Sequence, residues 1–484
     1  MSEPRRYFSV EDRKSFTPVH AVWEITLACD LKCQHCGSRA AKRRPAELST
    51  EECLDLVRQL ARLGTREVAL IGGEVYLRRD WVDIIREIRN QGMDCTLQSG
   101  GLHLTEERVK AAVDAGLQAA GISVDGLADV HDRLRGVKGS FEAAFKALTI
   151  LKKYKLTASV NTQITSLVMP QLRELMELFI GVGVRNWQVQ LTVAMGRAAD
   201  HPELLLQPYE LLELMPLLAE LYQEALDKGM LMQPGNNIGY FGPYESLWRG
   251  SGEEQVYWDG CNAGQTSIGI EADGTIKGCP SLPTSPYAGG NIRDRSLQDI
   301  WRKTDELSFT RVRTVNDLWG FCRSCYYADV CRAGCTWTTH VLFGRPGNNP
   351  YCHHRALELA REGLRERIVR VSAPPGTPFD YGRFDLKLES LDGGERPAAA
   401  EMLPESFSGL VQIKGVRKKS PNTSTTAVPP DLDLCRGCNR YVIAQTETCP
   451  HCGGDIASLA SDYDKELRKA KKSMRRLTKL LTGN

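Results

Sequence analysis

The chain has 484 residues, of which 42% are hydrophobic, and its formal net charge is +2. This length predicts two or three domains, and the near-neutral charge gives no indication of binding to nucleic acid or membranes. A secretory signal is excluded because the N-terminus, MSEPRRYFSVEDRKSF, is polar, and no apolar run is long enough to cross a bilayer. We therefore expect a soluble, cytoplasmic protein.

Strand-like segments rich in Val, Ile, Leu and Thr alternate with helix-like segments over residues 21–235. One predicted helix is Ser49–Leu63, which a capping box of Ser49 and Glu52 begins and Gly64 ends. Six such strand–helix units predict a parallel α/β sheet, curled into a barrel or an open part-barrel with its chemistry at the C-terminal strand ends. The predicted strands are Val22–Thr26, Val68–Ile71, Asp94–Gln98, Ala120–Val124, Thr157–Ile164 and Asn186–Leu191.

Composition divides the chain further. Residues 372–430 are rich in Pro, Gly, Ser and Thr, which predicts a mostly flexible linker. Residues 464–481 are basic with spaced apolar residues (Leu467, Met474, Leu477 and Leu481), which predicts an amphipathic helix. The predicted units are an N-terminal extension (1–20), a partial (β/α)6 barrel (21–235), a cysteine-rich domain with its connector (236–371), the linker (372–430), a compact cysteine unit (431–456) and a basic helical tail (457–484).

Sixteen cysteines are many for a cytoplasmic chain, where thiols stay reduced and disulfides are rare. Clustered cysteines in that compartment indicate metal ligands. Three of them lie in one short loop, seven between Cys261 and Cys352, and four near the C-terminus. The remaining two, Cys53 and Cys95, lie in apolar stretches, so we expect them to be buried as small hydrophobic residues.

The first cysteine group follows the first predicted strand and has the spacing CxxxCxxC, formed by Cys29, Cys33 and Cys36. Three thiolates can bind three irons of a [4Fe–4S] cluster and leave the fourth iron open to a substrate or cofactor. A structural zinc site that includes His35 is the alternative. The loop alone leaves these two interpretations about equal.

In its context the loop resembles the signature of the radical S-adenosylmethionine (SAM) superfamily. The strand AVWEIT precedes LACDLKCQHC, and the next strand ends in Gly72-Gly73-Glu74, which is similar to the family's GGE motif. The resemblance implies a partial TIM-like barrel, a [4Fe–4S] cluster on the three cysteines, and a motif that holds the amino group of SAM. It also implies reductive cleavage of SAM to a 5′-deoxyadenosyl radical, which abstracts hydrogen from an unactivated carbon.

Other strand ends are similar to SAM-binding positions of the family. Ser123 and Asp125 end the fourth strand, although an ordinary Asp-Gly turn is the better explanation when this motif is taken alone. The stretch HDRLRG contains Arg135, for which the resemblance implies a contact with the SAM carboxylate. Asn161 on the fifth strand is a further candidate, and Gly196-Arg197-Ala198 is similar to one branch of the family.

The chain departs from the family after the third strand. It has Ser99-Gly100-Gly101 where Thr-Asn-Gly is common, so any contact of that Asn side chain is absent. The sequence offers no candidate for a catalytic acid or base.

The second cysteine group resembles the SPASM extension of radical SAM enzymes at all seven positions. The resemblance implies two auxiliary [4Fe–4S] clusters, and the first of them lacks a fourth thiolate. Its fourth iron would be open or bound by water or by Asp259. For the whole group, the alternative is that all seven cysteines bind zinc. The implied ligands are Cys261, Cys279 and Cys335 for the first auxiliary cluster, and Cys322, Cys325, Cys331 and Cys352 for the second.

The C-terminal cysteines form two CxxC knuckles, Cys435/Cys438 and Cys449/Cys452, whose spacing suits tetrahedral zinc. They resemble a zinc ribbon. A domain of about 25 residues is too small to build its own core, so a structural role for the metal is the simplest interpretation. We expect the ribbon also to present a docking surface, with nucleic acid an unlikely partner for it and the basic tail.

The SPASM resemblance implies a maturase for a ribosomally synthesised peptide or protein. Its partners would be that precursor and a flavodoxin- or ferredoxin-type reductant. The extension of about 20 residues is too short for a recognition domain, so the alternatives for leader recognition are a separate protein, the ribbon region, or a substrate without a leader. Small-molecule chemistry, such as tetrapyrrole or redox-cofactor biosynthesis, is the second hypothesis. A non-catalytic metal-binding assembly protein is the third.

Overall fold

The main sheet begins with seven parallel strands that alternate with helices along the chain. The computed structural model describes residues 7–249, 257–393 and 429–482, with side chains through residue 474. The strands are β1 (His20–Glu24), β2 (Glu67–Ile71), β3 (Asp94–Ser99), β4 (Ala119–Ser123), β5 (Thr157–Ile164), β6 (Asn186–Leu191) and β7 (Leu231–Pro234). The six predicted strands are thus confirmed. Strand β7 was not predicted because LMQP is short and lacks β-branched residues.

Nine helices precede or follow these strands in the described part of the barrel. Helix α2 shows why they begin and end where they do. The hydroxyl of Ser49 accepts from the backbone N–H of Glu52 at 3.3 Å, the carboxylate of Glu52 accepts from the N–H of Ser49 at 2.7 Å, and Gly64 ends the helix at φ +94°. The helices are α1 (Val10–Ser15), α2 (Thr50–Leu63), α3 (Trp81–Asn90), α4 (Glu106–Asp114), α5 (Ala128–Arg135), α6 (Ser140–Lys153), α7 (Leu172–Val182), α8 (Arg197–Asp200) and α9 (Leu211–Asp227).

The cysteine-rich region extends the same sheet. Strand β8 (Ser267–Ile270) pairs in parallel with β1, and the antiparallel strands β9 (Thr275–Lys277) and β10 (Ala288–Asn291) follow it. The strand order is therefore β10-β9-β8-β1-β2-β3-β4-β5-β6-β7, with β10 and β7 at the two ends. The predicted α/β part-barrel followed by a small cysteine-rich domain is confirmed, and the two units share one sheet.

Short helices carry most of the remaining cysteine-rich region. Trp23 and Trp187 are fully buried in the core between the sheet and the helices, and so are Cys53 and Cys95, as predicted. The helices are α10 (Glu245–Arg249), α11 (Thr284–Tyr287), α12 (Leu297–Lys303), α13 (Asp305–Ser308), α14 (Phe321–Ser324), α15 (Ala328–Cys331), α16 (Thr336–Phe343) and α17 (His353–Arg361).

A β-hairpin occupies part of the range predicted as a linker. Strand β11 (Leu364–Ser372) pairs antiparallel with β12 (Arg383–Ser390), so the prediction of a flexible linker is wrong for residues 372–390. The alternating apolar residues of RFDLKLES, with Phe384 buried, and the ion pair of Arg367 with Glu389 (2.7 Å) stabilise the second strand. Residues 394–428 of the predicted linker lie outside the described residues.

The C-terminal unit consists of a two-stranded hairpin and one long helix. Strands β13 (Leu432–Leu434) and β14 (Tyr441–Ile443) pair antiparallel, and helix α18 spans Ile456–Thr482. The predicted tail helix is confirmed and begins earlier than expected, although the side chains of Leu477 and Leu481 lie outside the described residues. None of the helices in the described ranges is long and apolar enough to cross a membrane.

Candidate active site and auxiliary metal centres

A cavity of about 680 Å³ at the C-terminal ends of the parallel strands contains the first cysteine loop. The loop directly follows β1, and the loops after β2, β3 and β4 reach the same cavity. Because the C-terminal ends of parallel strands meet at one edge, residues distant in sequence converge there. Of the predicted site residues, those that line the cavity are Cys29, Cys33, Cys36, Gly72, Gly73, Glu74, Ser123 and Arg135.

The two glycines after β2 allow their loop to contact the cysteine loop. The backbone N–H of Gly73 donates to the carbonyl of Thr26 at 2.8 Å, and that of Glu74 donates to the carbonyl of Ala28 at 2.7 Å. A Cβ atom on Gly72 would lie 2.5 Å from the Thr26 oxygen, and one on Gly73 would lie 2.1 Å from the Ala28 oxygen. Both positions therefore require glycine for steric reasons.

Glu74 is held in a fixed orientation at the wall of the cavity. Its carboxylate accepts from the hydroxyl of Ser99 and from the backbone N–H of Gly100, both at 2.6 Å. Burial raises the pKa of Glu74 to about 7, and these two hydrogen bonds oppose the rise. Ser99 therefore orients Glu74. It lies where the sequence departs from the common Thr-Asn-Gly, a departure that by itself indicates only the loss of an Asn contact.

A buried charge network lies behind the cysteine loop. The carboxylate of Asp125 pairs with the Arg135 guanidinium and with Nε2 of His35 at 2.8 Å, and it accepts from the N–H of Gln163 at 2.7 Å. Burial alone raises the pKa of Asp125, but Arg135 and His35 bring it well below its usual range. Nη1 of Arg135 also lies 3.6 Å from the sulfur of Cys33.

This network changes two of the expected contacts. Asp125 is fully buried and is not among the residues that line the cavity, so the expectation that it contacts SAM directly is not supported. Asn161 donates to the side-chain oxygen of Gln98 within the sheet and also does not line the cavity. Arg135 lines the cavity, but its guanidinium already pairs with Asp125.

The loop after β6 is hydrogen-bonded to the cysteine loop through Arg197. Arg197 donates from Nε to the carbonyl of Cys33 at 2.6 Å and from Nη2 to that of Ala40 at 3.1 Å. Its backbone N–H donates to the carbonyl of Cys36 at 3.0 Å. The Gly196-Arg197-Ala198 motif was visible in the sequence, and the structure gives it this positioning role. A Cβ on Gly196 would lie 2.3 Å from the Gly37 oxygen.

The donor set of the first loop suits a metal cluster. Burial raises the pKa of Cys33 to about 11, with Arg135 opposing the rise. Metal ligation compensates the charge of three neighbouring thiolates, which the single cation of Arg135 does not balance. Nδ1 of His35 is also buried and, within the part of the chain that the structure describes, has no hydrogen-bond partner.

The cysteines predicted for the first auxiliary cluster lie near one another. Burial is the main cause that raises the pKa of Cys279 to about 11 and that of Cys335 to about 12. The charge of Cys261 adds to both increases, which places its sulfur close to the other two. Asp259, considered as an oxygen ligand here, is an exposed partner of Arg13 at 3.1 Å. Its role as a ligand is therefore not supported.

The cysteines predicted for the second auxiliary cluster line one separate cavity of about 340 Å³. Cys322, Cys325, Cys331 and Cys352 all contribute to its wall, and Tyr327 completes it together with other aromatic and small side chains. Burial raises the pKa of Cys325 and Cys331 well above the usual value for a thiol. Four thiols that line one cavity match the ligand count of a [4Fe–4S] cluster.

The two C-terminal knuckles bring four sulfur atoms within 4.8 Å of one another. The sulfurs of Cys435 and Cys452 are 3.8 Å apart, and those of Cys438 and Cys449 are 3.7 Å apart. Sulfur atoms at the corners of a tetrahedron with Zn–S bonds of about 2.3 Å are separated by about 3.8 Å. The geometry therefore fits a tetrahedral four-thiolate site.

Sequence comparison identifies two families in the chain. The Radical SAM superfamily matches residues 23–179, and the SPASM iron–sulfur cluster-binding domain matches residues 261–326. The AdoMet-dependent heme synthase of Oleidesulfovibrio alaskensis is 30% identical over 69% of this chain and 86% of its own. The mycofactocin maturase MftC of Mycolicibacterium smegmatis is 29% identical (69% and 82%), and the PqqA peptide cyclase of Rhizobium meliloti is 27% identical (75% and 94%).

Solved structures share the fold. Streptococcus suis SuiB bound to S-adenosylmethionine matches with a TM-score of 0.54 and 17% identity, over 69% of this chain and 76% of SuiB. The enzyme anSMEcpe with bound AdoMet matches with a TM-score of 0.57 and 17% identity, over 70% of this chain and 95% of its own. The matching families, the relatives and the cysteine-lined cavity agree: this chain belongs to the SPASM branch of the radical SAM superfamily and is a radical SAM enzyme that binds SAM and iron–sulfur clusters.

Proposed function

We propose that this enzyme modifies a ribosomally synthesised peptide or protein at the cavity that its first cysteine loop lines. The observation that carries the proposal is the convergence of Cys29, Cys33, Cys36 and Glu74 in one cavity of a chain with all seven SPASM cysteines. Relatives named as a maturase and a peptide cyclase match it over more than four fifths of their own length. SuiB, which shares the fold, has been solved bound to its precursor peptide SuiA.

The cysteines and Glu74 of the cavity have proposed tasks. Cys29, Cys33 and Cys36 hold the cluster that binds SAM, and Glu74, oriented by Ser99 and Gly100, accepts from the amino group of SAM. Ser123 also lines the cavity. When SAM and the reduced cluster are bound, they supply the radical that abstracts hydrogen from the substrate.

Arg135 and its neighbours act by positioning. We assign Arg135 to the Cys33 side of the cavity, where its positive charge offsets the negative charge of the thiolates, and Asp125 to holding Arg135 in place. Asn161 fixes Gln98, which does line the cavity. These roles replace direct contacts of Asp125 and Asn161 with SAM.

The other cysteines hold additional metals in this proposal. Cys261, Cys279 and Cys335 bind the first auxiliary [4Fe–4S] cluster, and the four cysteines of the 340 Å³ cavity bind the second. The C-terminal knuckles bind Zn²⁺, which the sulfur separations support. A flavodoxin- or ferredoxin-type protein supplies electrons, and a separate protein recognises the leader of the precursor.

Tetrapyrrole chemistry is the second candidate because the heme synthase relative is 30% identical. A flat tetrapyrrole would call for a broad apolar slot in the active-site cavity. Among the described residues that line this cavity, the aliphatic side chains are Leu31, Ala40 and Ile71, and none is Phe, Tyr or Trp. Gln98, Gln163 and Ser123 offer donors and acceptors that match a peptide backbone. This composition supports the peptide proposal.

Anaerobic reconstitution followed by SAM cleavage tests the enzyme assignment. The wild-type protein is expected to bind about twelve irons, as three four-iron clusters, and to form 5′-deoxyadenosine on addition of dithionite and SAM. A Cys29/Cys33/Cys36→Ala variant is expected to lose about four irons and all of the product. A Cys53→Ala variant, which changes a buried cysteine of the core, is the matched control and is expected to retain both.

Substrate trials separate the two candidates. We expect short precursor peptides encoded beside the gene to change in mass by mass spectrometry, with deoxyadenosine formation at least about tenfold above the basal rate, a change of about 1.4 kcal/mol in barrier. Tetrapyrroles are expected to leave both the optical spectrum and the rate unchanged. A tetrapyrrole that binds and is converted, with every peptide inert, would replace the peptide proposal with the tetrapyrrole one.

A further inference from the structure

We propose that the C-terminal ribbon, residues 431–456, is a metal-dependent cap on the second auxiliary centre. The cap covers the region of Cys322, Cys325, Cys331 and Cys352 and keeps it closed to water. This inference rests on the proposed assignment of those four cysteines to a cluster. It gives the ribbon a defined partner within its own chain.

One tyrosine connects the two metal sites. The hydroxyl of Tyr327 donates to the carbonyl of Tyr441 at 2.6 Å and lies 2.7 Å from Nε2 of His451, whose N–H can donate to it. Tyr327 lines the cavity and lies two residues after Cys325. His451 lies in the second knuckle, between its two cysteines. A displacement of the knuckle therefore removes partners from a side chain in the wall of the cluster cavity.

A buried arginine makes a second connection. Arg440 of the ribbon is only 2% exposed, and its guanidinium donates to Nδ1 of His354 and to Glu358 at 3.1 Å. His354 lines the same cavity and lies two residues after Cys352. Arg361 donates to the carbonyl of His451 at 3.2 Å. A buried guanidinium needs charged or hydrogen-bonding partners, and in this contact Arg440 has His354 and Glu358.

Apolar packing completes the cover. Leu432 and Tyr441 of the ribbon belong to one buried cluster with the aromatic residues around the cavity, and Cys325, Cys331 and Cys352 pack against that cluster. The rings of Phe241 and Tyr327 stack with their centroids 4.0 Å apart. Since Tyr441 is fully buried here, this face of the ribbon is not available to a nucleic acid or another protein.

The cap depends on its own metal. A two-stranded hairpin of three residues per strand cannot hold its shape through its own core. Four thiolates on one metal fix both knuckles, and the binding free energy of such a metal is the folding free energy of the unit. Loss of the knuckle metal should therefore release the Tyr441 and His451 contacts and expose the cluster.

The test measures iron release from the reconstituted full-length protein under anaerobic conditions, with an iron chelator in excess. The variants are Tyr327→Phe, which removes one hydroxyl, and Cys435→Ser/Cys438→Ser, which removes the knuckle metal. Matched controls are Tyr154→Phe, which removes a hydroxyl bonded to Glu106 on the barrel, and Glu447→Ala on the exposed face of the ribbon. Zinc content and the EPR spectrum of the reduced protein are measured in parallel.

About one third of the iron is expected to leave about tenfold faster in both test variants, with an altered EPR signal for one cluster. Tyr327→Phe is expected to keep its zinc, and both controls are expected to match the wild type. Equal release rates in every variant, with a full wild-type iron count, would overturn the cap alone. A wild-type count that is short by about four irons would instead overturn the cluster assignment on which the cap rests.

Discussion

Asp125 and Arg135 form a buried ion pair that joins the end of β4 to the end of α5, directly behind the cysteine loop. Asp125 is fully buried and Arg135 is 8% exposed. The pair brings a positive charge to within 3.6 Å of the sulfur of Cys33. A cluster on three thiolates is an anionic centre, so a fixed cation at this distance favours its binding.

Replacement of Arg135 by Met is the first prediction. The variant leaves the Asp125 carboxylate buried without its strongest partner, which we expect to destabilise the protein by about 3 kcal/mol. Loss of the cation is also expected to lower iron retention by the first cysteine loop. Thermal unfolding measures the first effect, and the iron content per chain measures the second.

Arg133→Met is the control for that experiment, because Arg133 is exposed on the same helix. It is expected to match the wild type in both measurements. If Arg135→Met and Arg133→Met behave alike, the ion pair has no role in holding the cluster site.

The second prediction concerns Gly73→Ala. The added Cβ would lie 2.1 Å from the carbonyl oxygen of Ala28, and backbone atoms cannot move aside as the end of a flexible side chain can. We expect the loops after β1 and β2 to separate, with a loss of about 2 kcal/mol in stability and weaker SAM binding. Equilibrium dialysis with labelled SAM measures the affinity.

Gly181→Ala provides the matched glycine control. Gly181 lies in helix α7, and apart from its chain neighbours and the backbone of its own helix no atom would come within 4 Å of its added Cβ. This variant is expected to be as stable as the wild type or slightly more stable, because alanine favours the helix. A Gly73→Ala protein with normal SAM affinity would show that the close approach of the two loops is not needed for binding.

The sequence predicts most of the barrel because its physical signals are local. Buried parallel strands are continuous apolar runs, and the box of Ser49 and Glu52 marks the start of a helix within four residues. The cysteine groups are equally visible, because ligand spacing is a property of short segments. The convergence of the first cysteine loop with Gly72, Gly73 and Glu74 in one cavity follows from the order of the strands.

The remaining features depend on contacts between distant parts of the chain. The Arg39–Asp380 pair joins residues 341 positions apart, and no local pattern indicates it. Strand β12 lies in a region whose Pro and Gly content suggested a linker, although those residues form the turn that precedes it. The hydrogen bond from the Tyr327 hydroxyl to the Tyr441 carbonyl likewise joins two cysteine units that lie far apart in the sequence.

The third prediction is a pH dependence of stability that depends on Glu24. This residue is 3% exposed, and the nearest guanidinium atom of Arg44 is 3.8 Å away, because Arg44 lies closer to Glu271 at 2.7 Å. Burial raises the pKa of Glu24 to about 8; Arg44 opposes the rise, and the charge of Glu271 adds to it. The folded protein therefore holds a proton on Glu24 that the unfolded chain releases near pH 4.5.

The sign follows from proton linkage. Between pH 4.5 and about 8 the folded state binds more protons than the unfolded state, so the contribution of Glu24 to stability falls as the pH rises. Glu24→Gln removes this loss, and we expect the variant to gain on the order of 1 to 3 kcal/mol over the wild type near pH 8. Near pH 5 the gain is expected to be small.

Thermal unfolding of the apoprotein across this pH range is the measurement, with Glu174→Gln as the control because Glu174 is exposed on α7. The difference between Glu24→Gln and the wild type should increase with pH, whereas the control should follow the wild type throughout. A constant difference at all pH values would mean that Glu24 is ionised in the folded state.

The fourth prediction concerns the turn of the β11–β12 hairpin, which Asp380 ties to the barrel. Its carboxylate accepts from Nε of Arg39 at 2.6 Å and from the backbone N–H groups of Gly376 and Thr377 at 2.5 and 2.9 Å. Its carbonyl accepts from the N–H of Gly196 at 2.8 Å. One residue thus connects the hairpin turn to the cysteine loop and to the loop after β6.

Asp380→Asn removes the negative charge and places an amide group opposite these donors. We expect the amides of Gly376 and Thr377 to exchange hydrogen at least about tenfold faster, which corresponds to about 1.4 kcal/mol of local stability. Hydrogen exchange read by mass spectrometry measures this in the turn, and Asp385→Asn, exposed on β12, is the matched control. Equal protection of the turn in both variants would show that Asp380 does not hold it, whereas faster exchange in Asp380→Asn alone would show that the Asp380 carboxylate holds the turn.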